Sequence, residues 1–319
     1  MPRVLYNSYA TEAVYAILRA ELPPGFELVT LAGDDEAERI EKIRDCEVAI
    51  VASAPLRRPV IDAGTRLRLV HHQGVGYHDT IDTAALAERR IPLAITPGGT
   101  TVGVAEHTVM LILAMLRRLP FADAELRQGR FHVNALRPVS RELRGRTVGL
   151  LGMGRIGRAV AERLKPFGVT LIYFDPVALP AEVERALALE RRGFDEVLPE
   201  ADILSLHLPL TAETERLLGP DAFARMKPGV ILVNTARGGL VDEAALIAAL
   251  DAKRVAVAAL DVLAAEPPGD DHPLLARDDV IATPHVAWLT AETWERSLGV
   301  ARENVLRALA DMPLLHRVV

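Results

Sequence analysis

Residues 147 to 161 read TVGLLGMGRIGRAVA, a short apolar run joined to a run of helix formers through three glycines. A strand, a glycine turn and a helix in that order are the fingerprint of a dinucleotide-binding βαβ unit. Gly152 permits the turn, Gly154 lets a pyrophosphate approach the backbone, and Gly157 lets the helix pack on the strand. A glycine turn without a ligand is the alternative. Asp175 favours the dinucleotide, because a carboxylate ending the next strand can accept hydrogen bonds from the adenosine ribose.

Short β-branched runs alternate with amphipathic stretches along the chain, a rhythm typical of βαβ units and parallel sheets. The chain has 319 residues, half of them hydrophobic, which predicts two α/β domains with large cores. Helical patterns cover 11–21, 35–44, 101–128 with a break at Pro120, and 290–311. The predicted strands are RVLYNS, FELVTL, EVAIVAS and LRLVHHQ in a first group, then TVGLLGMG, VTLIYFDP, DILSLHLP, GVILVNTA, VAVAALDV and VIATPHVA.

Composition excludes several classes of protein. The net charge is −6 and no Lys/Arg block is present, so nucleic acid is not an expected partner. Cys46, the one cysteine, allows no internal disulfide and is read as a small buried hydrophobe. The amino-terminal residues lack a signal-peptide pattern, and VMLILAML at 109–116 is far shorter than the roughly 20 residues of a membrane span. We therefore expect a cytoplasmic protein without a membrane partner.

Three polar residues after later strands are candidates for chemistry. Arg237 stands beside two glycines after VILVN, from where its guanidinium could fork onto a carboxylate, although an ordinary surface ion pair is the alternative. His285 follows Pro284 at the end of a strand, and a lone histidine there is more often structural. Glu266 changes that reading if the two side chains pair, because a carboxylate orients an imidazole and favours its protonated form.

Four motifs in order, LLGMGRIG, VNTARGGLVDEAAL, ALDVLAAEP and TPHVAW, resemble those of the D-isomer-specific 2-hydroxyacid dehydrogenases. The resemblance covers most of the chain, including VAEHT and the glycine-rich substrate loop GVGYHDTIDTAALAERRIPLAITPG. It implies two doubly wound parallel-sheet α/β domains with the active site in the cleft between them. A Rossmann NAD-binding domain, residues 97–286, would be inserted into a smaller flavodoxin-like substrate domain, residues 1–96 and 287–319.

The resemblance also implies roles for particular residues. Arg237 would hold the substrate carboxylate and polarise the keto oxygen, His285 would donate the proton, and Glu266 would keep His285 protonated and oriented. Backbone N–H groups around Val75 and Gly76 would help to hold the substrate. The residues implied along the cofactor are Gly152, Gly154, Arg155, Ile156, Gly157, Asp175, His207, Pro209, Thr235, Ala236, Arg237, Asp261 and His285, with Asp261 near the nicotinamide carboxamide.

The function that follows is an NAD-dependent oxidoreductase moving a hydride between NAD(H) and C2 of a small D-2-hydroxy acid or 2-keto acid. Ala52 stands where phosphoglycerate-oxidising members carry arginine, which argues against a phosphate-bearing substrate. Formate-oxidising members pair the histidine with glutamine, so Glu266 argues against formate as the substrate. HVAWLTAET resembles the glycerate dehydrogenase (hydroxypyruvate reductase) and C-terminal-binding-protein branches, with Trp288 either walling the pocket or packing. Glyoxylate and hydroxypyruvate are therefore the expected substrates.

Two alternative functions stay open: an NADH-sensing binding protein resembling the C-terminal-binding-protein co-repressors, and a phosphite-type dehydrogenase. The presence of Arg237, Glu266 and His285 together favours an enzyme. His71, His72 and His78 lie around the glycine-rich loop without a compact set of carboxylate or cysteine ligands, so no metal is expected, and they are read as polar lining or loop structure. The family resemblance also predicts a homodimer.

Overall fold

The structure is a computed structural model that describes residues 1–319. The chain divides into two compact units. Unit 1 comprises Met1–Thr100 and Leu289–Val319, and unit 2 comprises Thr101–Trp288. These divisions fall a few residues beyond the predicted domain boundaries after residues 96 and 286.

Each unit contains one sheet, and every pairing between its strands is parallel. The strands of unit 1 are β1 (Arg3–Tyr6), β2 (Glu27–Val29), β3 (Val48–Val51), β4 (Leu69–His72) and β5 (Leu93–Ile95). Those of unit 2 are β6 (Thr147–Leu151), β7 (Thr170–Phe174), β8 (Leu189–Arg191), β9 (Ile203–Leu206), β10 (Val230–Asn234), β11 (Val255–Leu260) and β12 (Val280–Ala282).

The strand orders identify both architectures. Unit 1 has the order β2-β1-β3-β4-β5, which is the flavodoxin-like arrangement. Unit 2 has the order β12-β11-β10-β9-β6-β7-β8, the Rossmann arrangement with one further strand. The order reverses between β6 and β9, and open α/β sheets bind ligands at the carboxyl ends of the strands at such a point. The predicted fold class is confirmed.

Residues 1–319 form thirteen α-helices. They are α1 (Glu12–Glu21), α2 (Glu36–Ile43), α3 (Arg58–Ala63), α4 (Thr83–Glu88), α5 (Thr101–Leu116), α6 (Leu119–Arg127), α7 (Val133–Leu136), α8 (Arg155–Leu164), α9 (Ala181–Leu187), α10 (Phe194–Glu200), α11 (Pro220–Arg225), α12 (Glu243–Asp251) and α13 (Ala291–Leu309). Helix α13 returns the chain to unit 1, where it contacts α1 and β4. None of the helices combines the length and the apolar character needed to cross a membrane.

The long helical pattern over 101–128 divides two residues before the predicted break. Helix α5 ends at Leu116, Arg118 takes a left-handed conformation with φ of 53°, and α6 begins at Leu119. Pro120 therefore lies in the first turn of α6, where a missing backbone N–H leaves no helical hydrogen bond unmade.

The apolar patterns fill the space on both faces of each sheet. In unit 2, one cluster packs residues of α10, α11 and α12 on the sheet, and the other packs α5 and α8 on the opposite face. Strands buried on both faces, such as β3 and β9, contain almost only apolar residues, as parallel strands covered by helices require. Because the helices cover the faces of the sheet, the carboxyl ends of its strands are left at one edge, and the candidate site residues lie there.

Candidate functional site

The predicted site residues of unit 2 all follow the carboxyl ends of its parallel strands. One such segment follows each of six strands, namely β6 (Gly152), β7 (Asp175), β9 (His207), β10 (Thr235 to Arg237), β11 (Asp261) and β12 (His285). Because parallel strands end at a common edge, the fold brings residues more than 130 positions apart to one edge of one sheet. This edge includes the reversal of strand order between β6 and β9.

Each of the three fingerprint glycines has its own structural reason. Gly152 has φ of 98°, and a Cβ there would lie 2.6 Å from the His207 carbonyl carbon. A Cβ on Gly157 would overlap the Gly152 carbonyl oxygen, so this glycine brings α8 against the turn. Gly154 differs, because it is exposed and nothing lies within 4 Å of its Cβ position. Open space at the amino end of α8 fits a pyrophosphate drawn to the helix N–H groups.

Alanine at two of these glycines is expected to have different effects. Gly157→Ala overpacks the turn, so it should lower the free energy of unfolding by about 1–3 kcal/mol and weaken NADH binding as well. Gly154→Ala should fold normally but bind NADH at least about tenfold more weakly, or ~1.4 kcal/mol, because its methyl group would occupy the open space. Thermal unfolding and fluorescence titration measure the two effects. Unchanged NADH affinity in Gly154→Ala would contradict this assignment.

Asp175 is tied to the glycine turn. One carboxylate oxygen accepts a hydrogen bond from the Met153 N–H at 2.7 Å, and the other accepts one from the Val177 N–H at 2.9 Å. A carboxylate has about four acceptor positions, so this fixed side chain can still accept from ribose hydroxyls. The residues present therefore fit the adenosine half of a dinucleotide.

The remaining cofactor candidates lie on the same edge. Burial lowers the pKa of His207 to about 4, so the ring is neutral at neutral pH, with Nε2 3.0 Å from the Ser205 hydroxyl. Pro209 is exposed and its carbonyl accepts a hydrogen bond from Thr214. Arg155 and Ile156 open helix α8 beside the glycine turn.

Arg237 is carried by a turn that Asn234 braces. The fully buried Asn234 side chain accepts from the Ala236 N–H at 3.0 Å and donates to the Arg237 carbonyl at 2.8 Å. The guanidinium donates through Nη1 to the Ala236 carbonyl at 2.8 Å. Gly238 lies so close to the Leu263 backbone that a Cβ would overlap it. The turn with Arg237 therefore packs directly against the loop that leads to Glu266.

Glu266 and His285 form the predicted pair. The Nδ1 atom of His285 lies 2.7 Å from Oε2 of Glu266, and each side chain is 36% exposed. Oε1 of Glu266 accepts from the Leu263 N–H at 3.0 Å. Partial burial opposes ionisation, but the hydrogen bond and charge of His285, the Leu263 N–H and the charge of Arg237 hold the pKa of Glu266 below its usual value. The carboxylate is therefore ionised at neutral pH, and Nε2 is the ring nitrogen left to exchange a proton with a ligand.

His285 has an unusual backbone conformation, with φ of 53°. Asp261 holds the surrounding segment: its backbone carbonyl accepts from the His285 N–H at 2.8 Å, and its buried carboxylate accepts from the N–H groups of Val286 and Ala287. The Thr283 hydroxyl also donates to this carboxylate at 2.6 Å. Left-handed non-glycine residues persist where surrounding contacts determine them, and they are frequent at functional sites. Through these contacts Asp261 anchors the His285 segment. That Asp261 also lies near the nicotinamide carboxamide stays a prediction.

Three further residues support this edge without having been singled out in the sequence, namely His107, Thr108 and Thr283. Nε2 of His107 lies 3.2 Å from the Thr283 hydroxyl and 3.7 Å from the Asp261 carboxylate. The Thr108 hydroxyl lies 2.8 Å from that of the buried Thr235. His107 and Thr108 belong to VAEHT, so the motif quoted for the resemblance was the available signal for them.

The substrate candidates Val75 and Gly76 lie in unit 1, in the half-exposed loop after β4. Ala52 follows β3, and the loop after it is fastened by the Ser8 hydroxyl, which accepts from the N–H groups of Ser53 and Ala54 at 3.2 and 3.1 Å. Both segments lie at the carboxyl edge of the flavodoxin-like sheet.

His71, read as loop structure or polar lining, is instead a core residue of β4. Nε2 lies 3.0 Å from the Thr96 hydroxyl and Nδ1 lies 3.3 Å from the Asn304 amide nitrogen, while burial lowers its pKa to about 3. His72 also belongs to β4, and its Nδ1 accepts from the Gly74 N–H at 2.9 Å. His78 lies on the ring of Tyr77. No group of three or more His, Cys, Asp or Glu side chains in residues 1–319 is arranged to hold a metal ion.

The last two predictions concern Cys46 and Trp288. Cys46 is fully buried, and burial raises the pKa of its thiol to about 11. The thiol is therefore uncharged at neutral pH and packs as a small hydrophobic side chain. Trp288 is half-buried and directly follows the segment that Asp261 holds.

Comparisons with known proteins agree with the fold and the motifs. The model for the NAD-binding domain of D-isomer-specific 2-hydroxyacid dehydrogenases matches residues 109–287. The chain is 37% identical over 295 residues to a D-3-phosphoglycerate dehydrogenase of Archaeoglobus fulgidus, covering 92% of this chain and 55% of that one. It is 38% identical over 270 residues to a glyoxylate reductase of Korarchaeum cryptofilum, covering 84% and 81%. The structure of a glyoxylate reductase from Paecilomyes thermophila matches with a TM-score of 0.86 and 30% identity, covering 100% and 98%.

The match to the phosphoglycerate dehydrogenase involves about half the length of that relative. The family model, in contrast, lies entirely within unit 2, which carries the glycine turn and Asp175. Unit 2 is therefore an NAD-binding domain, and the chain belongs to the D-isomer-specific 2-hydroxyacid dehydrogenase family.

Proposed function

We propose that the chain is an NAD-dependent oxidoreductase that moves a hydride between NAD(H) and C2 of a small D-2-hydroxy acid or 2-keto acid, with glyoxylate or hydroxypyruvate as substrate. The observation that carries this proposal is the 2.7 Å pair between His285 and Glu266, on the edge of a sheet that also carries the dinucleotide turn. A sensing protein needs the turn but has no use for a proton donor held by a carboxylate.

Each of the three residues has a separate task in keto-acid reduction. When bound, the reduced nicotinamide supplies the hydride that reaches C2. His285 donates a proton from Nε2 to the developing alkoxide, and Glu266 stabilises the charged imidazolium before the transfer. Arg237 binds the substrate carboxylate with its planar fork and stabilises the negative charge on the keto oxygen. In the oxidation direction, neutral His285 accepts the proton.

Glu266→Gln tests the pairing through pH. The pKa of Glu266 is held low, so the carboxylate keeps its negative charge beside His285 throughout the neutral range. Glutamine keeps an acceptor for Nδ1 but removes the charge that stabilises the imidazolium, so reduction should fail earlier as pH rises. At acidic pH the variant should stay active. Steady-state reduction from pH 5 to 9 measures the profile.

Glu243→Gln is the matched control for this profile. Glu243 is also bonded to a histidine, His272, at 3.2 Å, and it accepts from the Ala264 N–H in the same loop. Its replacement should leave the upper pH limit of reduction in place. An identical shift in both variants, or no shift in Glu266→Gln, would remove Glu266 from the proposed role.

The proposal of a small substrate is supported by residues of unit 1. The loop after β3 has Ala52 where phosphoglycerate-oxidising members of the family have an arginine, and its backbone N–H groups at 53 and 54 are already bonded to Ser8. Residues 52 to 56 therefore offer no cation and few donors to a phosphate group. The names of two relatives, both glyoxylate reductases, agree with a small keto acid.

A substrate panel tests the function directly. The unmodified protein is assayed with NADH against glyoxylate, hydroxypyruvate, pyruvate and bulkier 2-keto acids, and with NAD against D-3-phosphoglycerate, formate and phosphite. We expect the highest kcat/KM with glyoxylate or hydroxypyruvate. Preference for phosphoglycerate would overturn the substrate proposal, and preference for phosphite would favour a phosphite-type dehydrogenase. NADH binding without turnover of any compound would favour the sensing protein.

We also propose a cytoplasmic homodimer. The family resemblance supports the homodimer, and so does the segment from α6 onward, because none of the residues of α6 and α7 is buried. The exposed large hydrophobic residues of this segment are Leu119, Leu126, Phe131, Val133 and Val139. Such a surface fits a second copy of the chain. Sedimentation velocity over a concentration series tests this assembly.

A further inference from the structure

The structure adds an arginine to the neighbourhood of Asp175. Arg191 is the last residue of β8, which pairs with β7 so that Arg191 lies opposite Tyr173. Its Nη2 donates to the carbonyl oxygens of Asp175 at 3.1 Å and Pro176 at 3.3 Å. The guanidinium is thus held against the loop that begins with Asp175.

The charge of Arg191 is not neutralised by a carboxylate. Its side chain is exposed, it forms no ion pair in residues 1–319, and its two carbonyl acceptors use only Nη2. The adjacent Arg192 differs, because it pairs with Glu190 at 2.8 Å and with Glu200 at 3.2 Å. The charge of Arg192 is therefore neutralised by surface ion pairs, whereas Arg191 keeps a positive charge without a carboxylate partner beside Asp175.

We propose that Arg191 is a second determinant of dinucleotide choice, acting against Asp175. This inference rests on the proposed cofactor site. A 2′-phosphate, such as NADP(H) carries on the adenosine ribose, has a charge of about −1.5 to −2 at neutral pH. Asp175 repels that group, whereas Arg191 attracts it and has fork-shaped donors to spare. The charge of Asp175 is then the barrier that keeps NADP(H) out, and its neutralisation exposes a phosphate-binding arginine already in place.

Equilibrium binding tests this inference without relying on turnover. The unmodified protein, Asp175→Asn, Asp175→Asn with Arg191→Gln, and Asp175→Asn with Arg192→Gln are titrated with NADPH and NADH by fluorescence. Asparagine is chosen because its amide oxygen can still accept from the Met153 N–H. The ratio of the NADPH Kd to the NADH Kd in each protein cancels general damage to the site.

The unmodified protein should bind NADH the more tightly, and Asp175→Asn should lower the ratio of Kd values at least about tenfold. Adding Arg191→Gln should reverse at least half of that change on a logarithmic scale, whereas adding Arg192→Gln should leave the ratio within about twofold. The gain from Asp175→Asn should also shrink as ionic strength rises, because the contact with Arg191 is exposed.

Equal ratios with and without Arg191→Gln, while NADH still binds, would overturn the role of Arg191 and leave the proposed function standing. Equal effects of the Arg191 and Arg192 replacements would likewise overturn it, because they would show only a general influence of surface charge. Failure of the unmodified protein to bind either dinucleotide would instead overturn the cofactor site of the proposed function.

Discussion

Replacement of His285 by glutamine is expected to lower the rate of keto-acid reduction at least about 100-fold, the lower range for a positioned general acid. Glutamine has nearly the reach of histidine and still donates a hydrogen bond, but it carries no proton that it can release at neutral pH. NADH should still bind, because the glycine turn and Asp175 lie after other strands. Steady-state kinetics and NADH fluorescence titration separate the two effects.

His272→Gln is the matched control for this prediction. His272 also pairs with a glutamate of unit 2, but its Nε2 is bonded to Glu243 and not to Glu266. Its replacement should change the rate little. If His285→Gln reduces the best keto acid as fast as the unmodified protein, His285 is structural, and the proposed proton transfer is wrong.

Replacement of Arg237 by lysine should lower kcat/KM for the best substrate about 10- to 100-fold, with little change in NADH affinity. Lysine keeps the positive charge but loses the planar fork that bonds two carboxylate oxygens at once. A hydrogen bond to a charged group is worth about 1.5–3 kcal/mol, which corresponds to that range of kcat/KM. The loss should appear in kcat as well as in KM, because Arg237 also stabilises the charge that develops on the keto oxygen.

Arg225→Lys controls for the general cost of losing an arginine from unit 2. Arg225 lies on α11 and pairs with the exposed Asp195 at 2.6 Å, so its replacement should leave kcat/KM unchanged. A decrease of less than about twofold in Arg237→Lys, or about 0.4 kcal/mol, would remove Arg237 from the role of substrate anchor.

The sequence patterns predicted most of the fold because parallel strands covered by helices are apolar on both faces. All ten predicted strands are present. The two that the patterns did not reveal are three-residue strands, β5 and β8. Two of the three residues of β8 are exposed, since it lies at the edge of its sheet, so it has no apolar run to mark it. That omission also concealed Arg191.

The candidate site was predictable where the reason for a residue is local. The backbone at Gly152 has a positive φ, and the helix approaches the turn closely at Gly157. Both features belong to a strand, turn and helix of fifteen consecutive residues, so the local sequence pattern predicts them. The role of Asn234 is also local, but it concerns the neighbouring backbone of Ala236 and Arg237 and has no signal beyond a polar residue ending an apolar strand.

By itself the sequence determined the fold class, the dinucleotide turn and the identity of the polar residues that follow the strands. The tertiary structure alone decided how those residues pair. Three glutamate–histidine pairs exist in unit 2: Glu266 with His285, Glu243 with His272 and Glu125 with His132. Only the path of the chain shows which of these histidines lies at the carboxyl edge after β12. It also made Asp261 an anchor and left the charge of Arg191 unpaired. Hydrogen bonds and ion pairs depend on distances of a few ångströms between residues far apart in the chain, whereas hydrophobic periodicity is a property of neighbours.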